Sequence, residues 1–119
     1  MAGFKGDLVT ITIPAGGGTS NVIDLKQATL LRLYMPSAWT AAAITIEEAP
    51  SSSGPWGTLY DDEGTQITIT TSSSRTIRFD ERLFQHANYV RFGSSVNQAA
   101  ARDVIAQRMP TTELASPQL

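Results

Sequence analysis

The sequence predicts an all-β fold, an antiparallel β-sandwich of about eight strands, with a jelly roll among the arrangements such a chain allows. Three observations lead there. Short runs in which apolar residues alternate with polar ones recur along the chain: LVTITI, LRLYM, ITIEE, ITIT, TIRF and YVRF. That period of two marks half-buried strands. Between the runs stand PAGGG, PSSSGPWG, DDEG, SSS and GSS, which are turn and loop compositions. The chain has 119 residues and no cysteine, a length for one domain whose core must hold by packing rather than by disulfides.

The elements follow in order. Leu8 to Ile13 sets Val9, Ile11 and Ile13 on one face and Thr10 and Thr12 on the other. Pro14 closes the run, because proline donates no hydrogen bond to a sheet. Ala15 to Gly18 reads as a connection; a phosphate cradle would need a following Lys-Ser/Thr and a helix. Ser20 to Leu25 is a second candidate strand, with Ile23 and Leu25 opposite Val22 and Asp24. The stretch from Leu30 to Glu48 organises the rest. In it, Leu31, Leu33 and Met35 alternate with Arg32 and Tyr34, Ser37 to Thr40 form a corner carrying Trp39, and Ile44 and Ile46 alternate with Thr45 and Glu47. This reads as a hairpin-like unit at the centre of the core.

Pro50 to Gly57 is a loop, and Trp56, Leu59 and Tyr60 lead into a short strand. Asp61 to Gly64 turns, with Gly64 placed for a positive φ. Gln66 to Thr70 carries Ile67 and Ile69 on one face, Ser72 to Ser74 turns again, and Arg75 to Phe79 alternates Ile77 and Phe79 with Thr76 and Arg78. Asp80 to His86 reads as a link with one helical turn around Leu83 and Phe84. Tyr89 to Phe92 is a strand, and Gly93 to Asn97 a turn. Asn97 to Met109 admits two readings. Asn97 is a helix-capping residue, and Ala100, Ala101, Val104, Ile105 and Arg108 fall at helical spacing. A sandwich of short strands instead needs a closing strand there. The expected core is Val9, Ile11, Ile13, Leu31, Leu33, Trp39, Ile44, Ile46, Ile67, Ile69, Ile77, Phe79, Val90 and Phe92. Residues 1–109 are expected to form the single domain, and 110–119, with Pro110 and Pro117, an extended C-terminal arm. In that arm Leu114 and Leu119 are the candidate interface contacts, suited to docking on a neighbouring subunit.

Composition narrows function. A net charge of −2 argues against nucleic acid, whose binders carry a basic face. No stretch approaches the roughly 20 apolar residues of a membrane helix, and MAGFKGDLV lacks the apolar run of a signal peptide, so folding in a cytoplasm and no membrane partner are expected. His86 is the only histidine, which excludes a histidine-rich metal site, and no nucleophile-elbow motif accompanies it. Asp61, Asp62 and Glu63 lack the spaced pattern of a Ca²⁺ loop and read as a solvated hairpin tip. Glu47 and Glu48 are adjacent on a strand and point to opposite faces, so they do not make a glycosidase pair. Trp39, Trp56 and Tyr60 could make an aromatic platform for a sugar ring; the competing reading is core and rim aromatics. No catalytic residue, metal or cofactor is expected.

The order of motifs resembles a group of small bacteriophage virion proteins. The shared features are ITIPAGGGTS near the start, LYMPSAWTAAAITI, SSSGPWGTLYDDEG, and YVRFGSSVNQAAARDVI near the end. Together they span roughly residues 8 to 108, and their order carries the likeness more than any one of them. The resemblance implies a β-sandwich module that decorates or cements capsids, and it implies a last strand at about 101–108 rather than a helix. It implies a non-enzymatic structural role, with the major capsid protein or other virion proteins as partner and a homo-oligomer in the assembled particle. The location implied is the virion, after synthesis in the host cytoplasm. The alternatives are a neck, tail or head-fibre component, or a carbohydrate-binding module for host attachment.

Overall fold

The computed structural model describes residues 6–80, 82–84 and 87–110. They form nine strands: β1 (Asp7–Ile13), β2 (Ile23–Asp24), β3 (Ala28–Tyr34), β4 (Ile44–Ala49), β5 (Gly57–Thr58), β6 (Thr68–Ile69), β7 (Thr76–Arg78), β8 (Tyr89–Ser94) and β9 (Arg102–Pro110). All pairings are antiparallel and they nest. β1 pairs β9, β2 pairs β8, β3 pairs β7, and β4 pairs both β5 and β6. Rolling this long double ribbon adds β9 to β3 and β8 to β4. Two sheets result, β1-β9-β3-β7 and β2-β8-β4-β5, with β6 also on β4. First-with-last nesting closed into two sheets is the connectivity of a jelly roll.

The expected hairpin at 30–48 is instead a crossover. β3 lies in one sheet and β4 in the other, so the corner at Pro36 to Thr40 passes between layers. Trp39, 4% exposed, fills that corner. Within β3 the alternation expected from Leu31 is broken. Leu30 pairs Arg108 while Arg32 pairs Gln107, so Leu31 is the extra residue of a bulge. The bulge puts Leu30, Leu33 and Met35 in the core and leaves Leu31 half-buried, since one inserted residue flips the pleat.

Asn97 to Met109 is a turn followed by β9, not a helix. β9 is central, between β1 and β3, and alternation buries Val104 and Ala106, neither of which was in the expected core. Backbone bonds to two flanking strands outweigh the helix propensity of an alanine-rich run. β9 also runs on through Met109 and Pro110, paired with Thr29 and Ala28, so the arm expected from residue 110 cannot begin before 111. Proline fits there because it ends the strand, past the last β1 partner at Arg108. Residues 111–119, with Leu114 and Leu119, lie outside the described residues, as do Glu81, Gln85 and His86.

Ile23, Leu25, Phe84, Ala49 and Ala87 also join the core, while Val9, Ile67, Ile77 and Phe79 pack against it half-buried. Phe84 is fully buried, its ring edge-on to Phe79 and Phe92 at 5.1 and 6.0 Å between centroids. It sits in a bend rather than the expected helical turn. At the open side of the sandwich, the Asn21 amide donates to the Thr10 carbonyl (3.0 Å) and accepts from the Thr12 N–H (2.8 Å). That satisfies part of the free edge of β1.

Candidate functional site

The sandwich has two ends. At one, the connections after β1, β3, β6 and β8 meet. The Gly16 N–H donates to the Gln98 carbonyl (3.0 Å), the Ser74 N–H to the Pro36 carbonyl (3.3 Å) and the Ser95 N–H to the Ala43 carbonyl (2.9 Å). Gln98, 1% exposed, is the centre of this end. Its Oε1 accepts from the Thr40 N–H (2.9 Å) and from Arg102 Nε (3.3 Å). Its Nε2 donates to the Thr40 carbonyl (3.0 Å) and to Ser94 Oγ (3.1 Å). A glutamine that fills both faces of one backbone unit is a structural clip, with its hydrogen-bonding groups engaged.

At the other end lies a groove of about 860 Å³ whose lining includes Asp7, Asp24, Lys26, Asn88 and Arg108. Arg108 donates to both carboxylate oxygens of Asp7, at 3.1 and 2.7 Å, and to the Asp24 carbonyl at 3.1 Å. The Arg108 guanidinium holds the Asp7 carboxyl below its usual range, and Asp7 in turn raises Arg108. The Asp24 carboxylate accepts from the Lys26 N–H (2.9 Å). Most of the groove's charge is therefore committed internally. Gly6 lies against β9 here with φ 75°, where a Cβ would meet the Arg108 carbonyl at 2.2 Å, so only glycine fits. Glu48 follows Ile46 in the inward phase of β4, and burial raises its pKa.

The three aromatics expected as a platform are not brought together. Trp39 is in the core and presents no ring face to a ligand. Its Nε1 has no hydrogen-bond partner among the described residues. Trp56 is half-buried, with the Arg91 guanidinium 4.2 Å from its ring centroid. Glu47 fixes that arginine through a 2.6 Å bond from Arg91 Nε. Tyr60, 54% exposed, stands apart on a projection of the chain. There, between β5 and β6, residues 60–66 are all exposed and form a finger closed by the Tyr60–Gln66 bridge and the turn at Asp61 to Gly64. Asp61 accepts from the N–H groups of Glu63 and Thr65, both at 2.9 Å, so it serves the turn. Among the described residues no group of three or more His, Cys, Asp and Glu could hold a metal ion. Leu114, Leu119 and His86 fall outside the described residues.

Sequence reasoning missed Gln98 because a turn has no periodicity to reveal a buried side chain. The Glu47–Arg91 pair had a signal: both residues occupy the outward phase of strands, and β4 and β8 set them opposite one another. Comparison with known proteins finds no matching family model, no matching curated protein and no matching solved structure.

Proposed function

We propose that the protein is a non-enzymatic structural component of a bacteriophage virion, a decoration or cement protein bound to the major capsid protein lattice. One observation carries the reading. Two of the stretches behind the resemblance, LYMPSAWTAAAITI and YVRFGSSVNQAAARDVI, are joined in space by Gln98 and Thr40. The first supplies the crossover corner and the second the clip that closes on it, so the likeness lies in residues that build one end of the sandwich. The jelly-roll connectivity supports the reading by analogy, since capsid and lectin domains both use it and fold alone does not carry function.

Many weak contacts to neighbouring capsid subunits would sum to stable attachment. The proposed contacts include Leu114 and Leu119. The test is quantitative composition of the purified particle. A copy number comparable with that of the major capsid protein supports decoration; a few copies per particle point to neck, tail or fibre; absence from the particle refutes a virion role. Adding a chain ended after Pro110 to particles lacking the protein tests the two leucines, which are dispensable if occupancy equals that of the full chain.

A further inference from the structure

The outer face of the β1-β9-β3-β7 sheet carries a pair of arginines with no acidic partner among the described residues. Arg32 on β3 and Arg78 on β7 are direct cross-strand partners. The backbone bonds from Met35 N–H to the Arg75 carbonyl (2.8 Å) and from Phe79 N–H to the Leu31 carbonyl (2.9 Å) bracket them. Odd-numbered β3 residues thus exchange the hydrogen bonds, and Arg32 and Arg78 form the intervening non-bonded pair, the closer of the two kinds. Like charges at such a position oppose sheet formation. No acidic side chain pairs with either among the described residues; Arg32 reaches only Gln107 Oε1, at 3.2 Å. In a chain of net charge −2, two adjacent cations without an acidic partner among the described residues have not been placed by an excess of basic residues.

The same chain carries the complementary group. The finger between β5 and β6 ends in Asp62 and Glu63, which have no ion-pair partner among the described residues. Asp61 accepts two backbone N–H bonds that fix the turn, which lowers the ordering cost of presenting the Asp62 and Glu63 carboxylates. No ion pair joins finger and arginine pair within the chain among the described residues.

We propose that the arginine pair Arg32/Arg78 is a docking site for the acidic finger of a second copy of this chain, with Asp62 and Glu63 set against the two guanidinium groups. Donor and acceptor patches differ, so the contact is heterologous, and two joined copies keep one free finger on one copy and one free arginine pair on the other. Copies therefore add head to tail, closing into a ring or continuing as a row. The inference stands on this chain's own charges and does not depend on the virion reading.

Sedimentation equilibrium of the full chain tests it. At about 10 mM salt, where exposed charges act over about 30 Å, the protein should associate with rising concentration; at about 1 M salt it should be monomeric. Arg32→Glu/Arg78→Glu and Asp62→Lys/Glu63→Lys should each lower the association constant by about tenfold or more. Mixed in equal amounts, the two variants should associate again, because the acidic face of one meets the basic finger of the other. Lys26→Gln, which removes one positive charge elsewhere, should leave association unchanged. Unaltered thermal unfolding of Arg32→Gln/Arg78→Gln guards against a folding defect, and that variant should also lose association. A wild-type chain monomeric at low salt, an unaffected finger variant, or a mixture that stays monomeric would each overturn the proposal.

Discussion

At one end of the sandwich a neutral amide, Gln98, binds a neighbouring connection and the start of β9; at the other, the Asp7–Arg108 ion pair ties the first strand to the last. The first end is dry. Gln98 and Trp39 are 1% and 4% exposed, and the contacts are neutral hydrogen bonds and packing, apart from the Arg102 bond to Gln98. The second is wet, with the side chains of Asp7 and Arg108 56% and 28% exposed. The two ends should therefore differ in their sensitivity to mutation, pH and salt. Buried neutral contacts cost most when truncated and respond little to pH or salt. Exposed charge pairs cost little and respond to both.

Trp39 is where the dry end should be most sensitive. Trp39→Ala should lower unfolding free energy by about 3–5 kcal/mol, read from denaturant melts. Trp39→Phe should cost clearly less, because it keeps most of the ring volume and removes the buried Nε1 donor, which has no partner among the described residues. A Trp39→Ala protein that melts like the parent would mean that the corner is not part of the core. Next comes Gln98→Ala. It strips the partners from the Thr40 N–H and carbonyl, and a loss of about 1–3 kcal/mol is expected, nearly constant from low to high salt. A strong salt dependence of that loss would make the dry end electrostatic after all.

The charged end should give smaller effects that change with pH. The Asp7 pKa is depressed in the folded chain from its ordinary 3.8. Its pairing with Arg108 therefore stabilises fully above the unfolded value and is lost as pH falls through the folded one. Screened as it is, the pair should be worth under about 1 kcal/mol. Asp7→Asn should lower the melting temperature slightly at pH 7 and not at all in strong acid; an equal effect at both would show that the carboxylate charge is irrelevant. Glu48 runs the other way. Its folded pKa is raised by burial, so the fold is penalised as pH rises above the unfolded value and Glu48 ionises. Glu48→Gln should raise the melting temperature at pH 7 and leave it unchanged once both states are protonated. A lower melting temperature at pH 7 would mean that the Glu48 charge has an attractive partner outweighing its burial.

Local features can be read from the residues alone. Alternation located β1, β4 and β8, because strand faces repeat every two positions and one face must be buried; β8 runs two residues past the expected end at Phe92, through Gly93 and Ser94, which read as turn by composition but pair with Thr45 and Ile44. Glycine at 64 announced a turn, and the structure has it at φ 87°. Trp39 beside Pro36 announced a packed corner. Of the candidate sites, the acidic tip was legible as a solvated turn. The aromatic trio was legible only as residue types, since composition cannot tell that Trp39 faces inward while Tyr60 rides an exposed finger.

Tertiary structure decided everything that depends on a neighbour far along the chain. The bulge at Leu31 exists because β3 must match β9, and its one-residue slip exchanged Leu31 for Leu30 in the core. β9 is a strand because β1 and β3 flank it; alone, its alanines favour a helix. Phe84 and Gln98 are buried by what closes over them, and irregular segments carry no period that reports it. The cross-strand meeting of Arg32 and Arg78 likewise appears only once β3 and β7 pair, 46 positions apart in the chain, and no local pattern encodes a register.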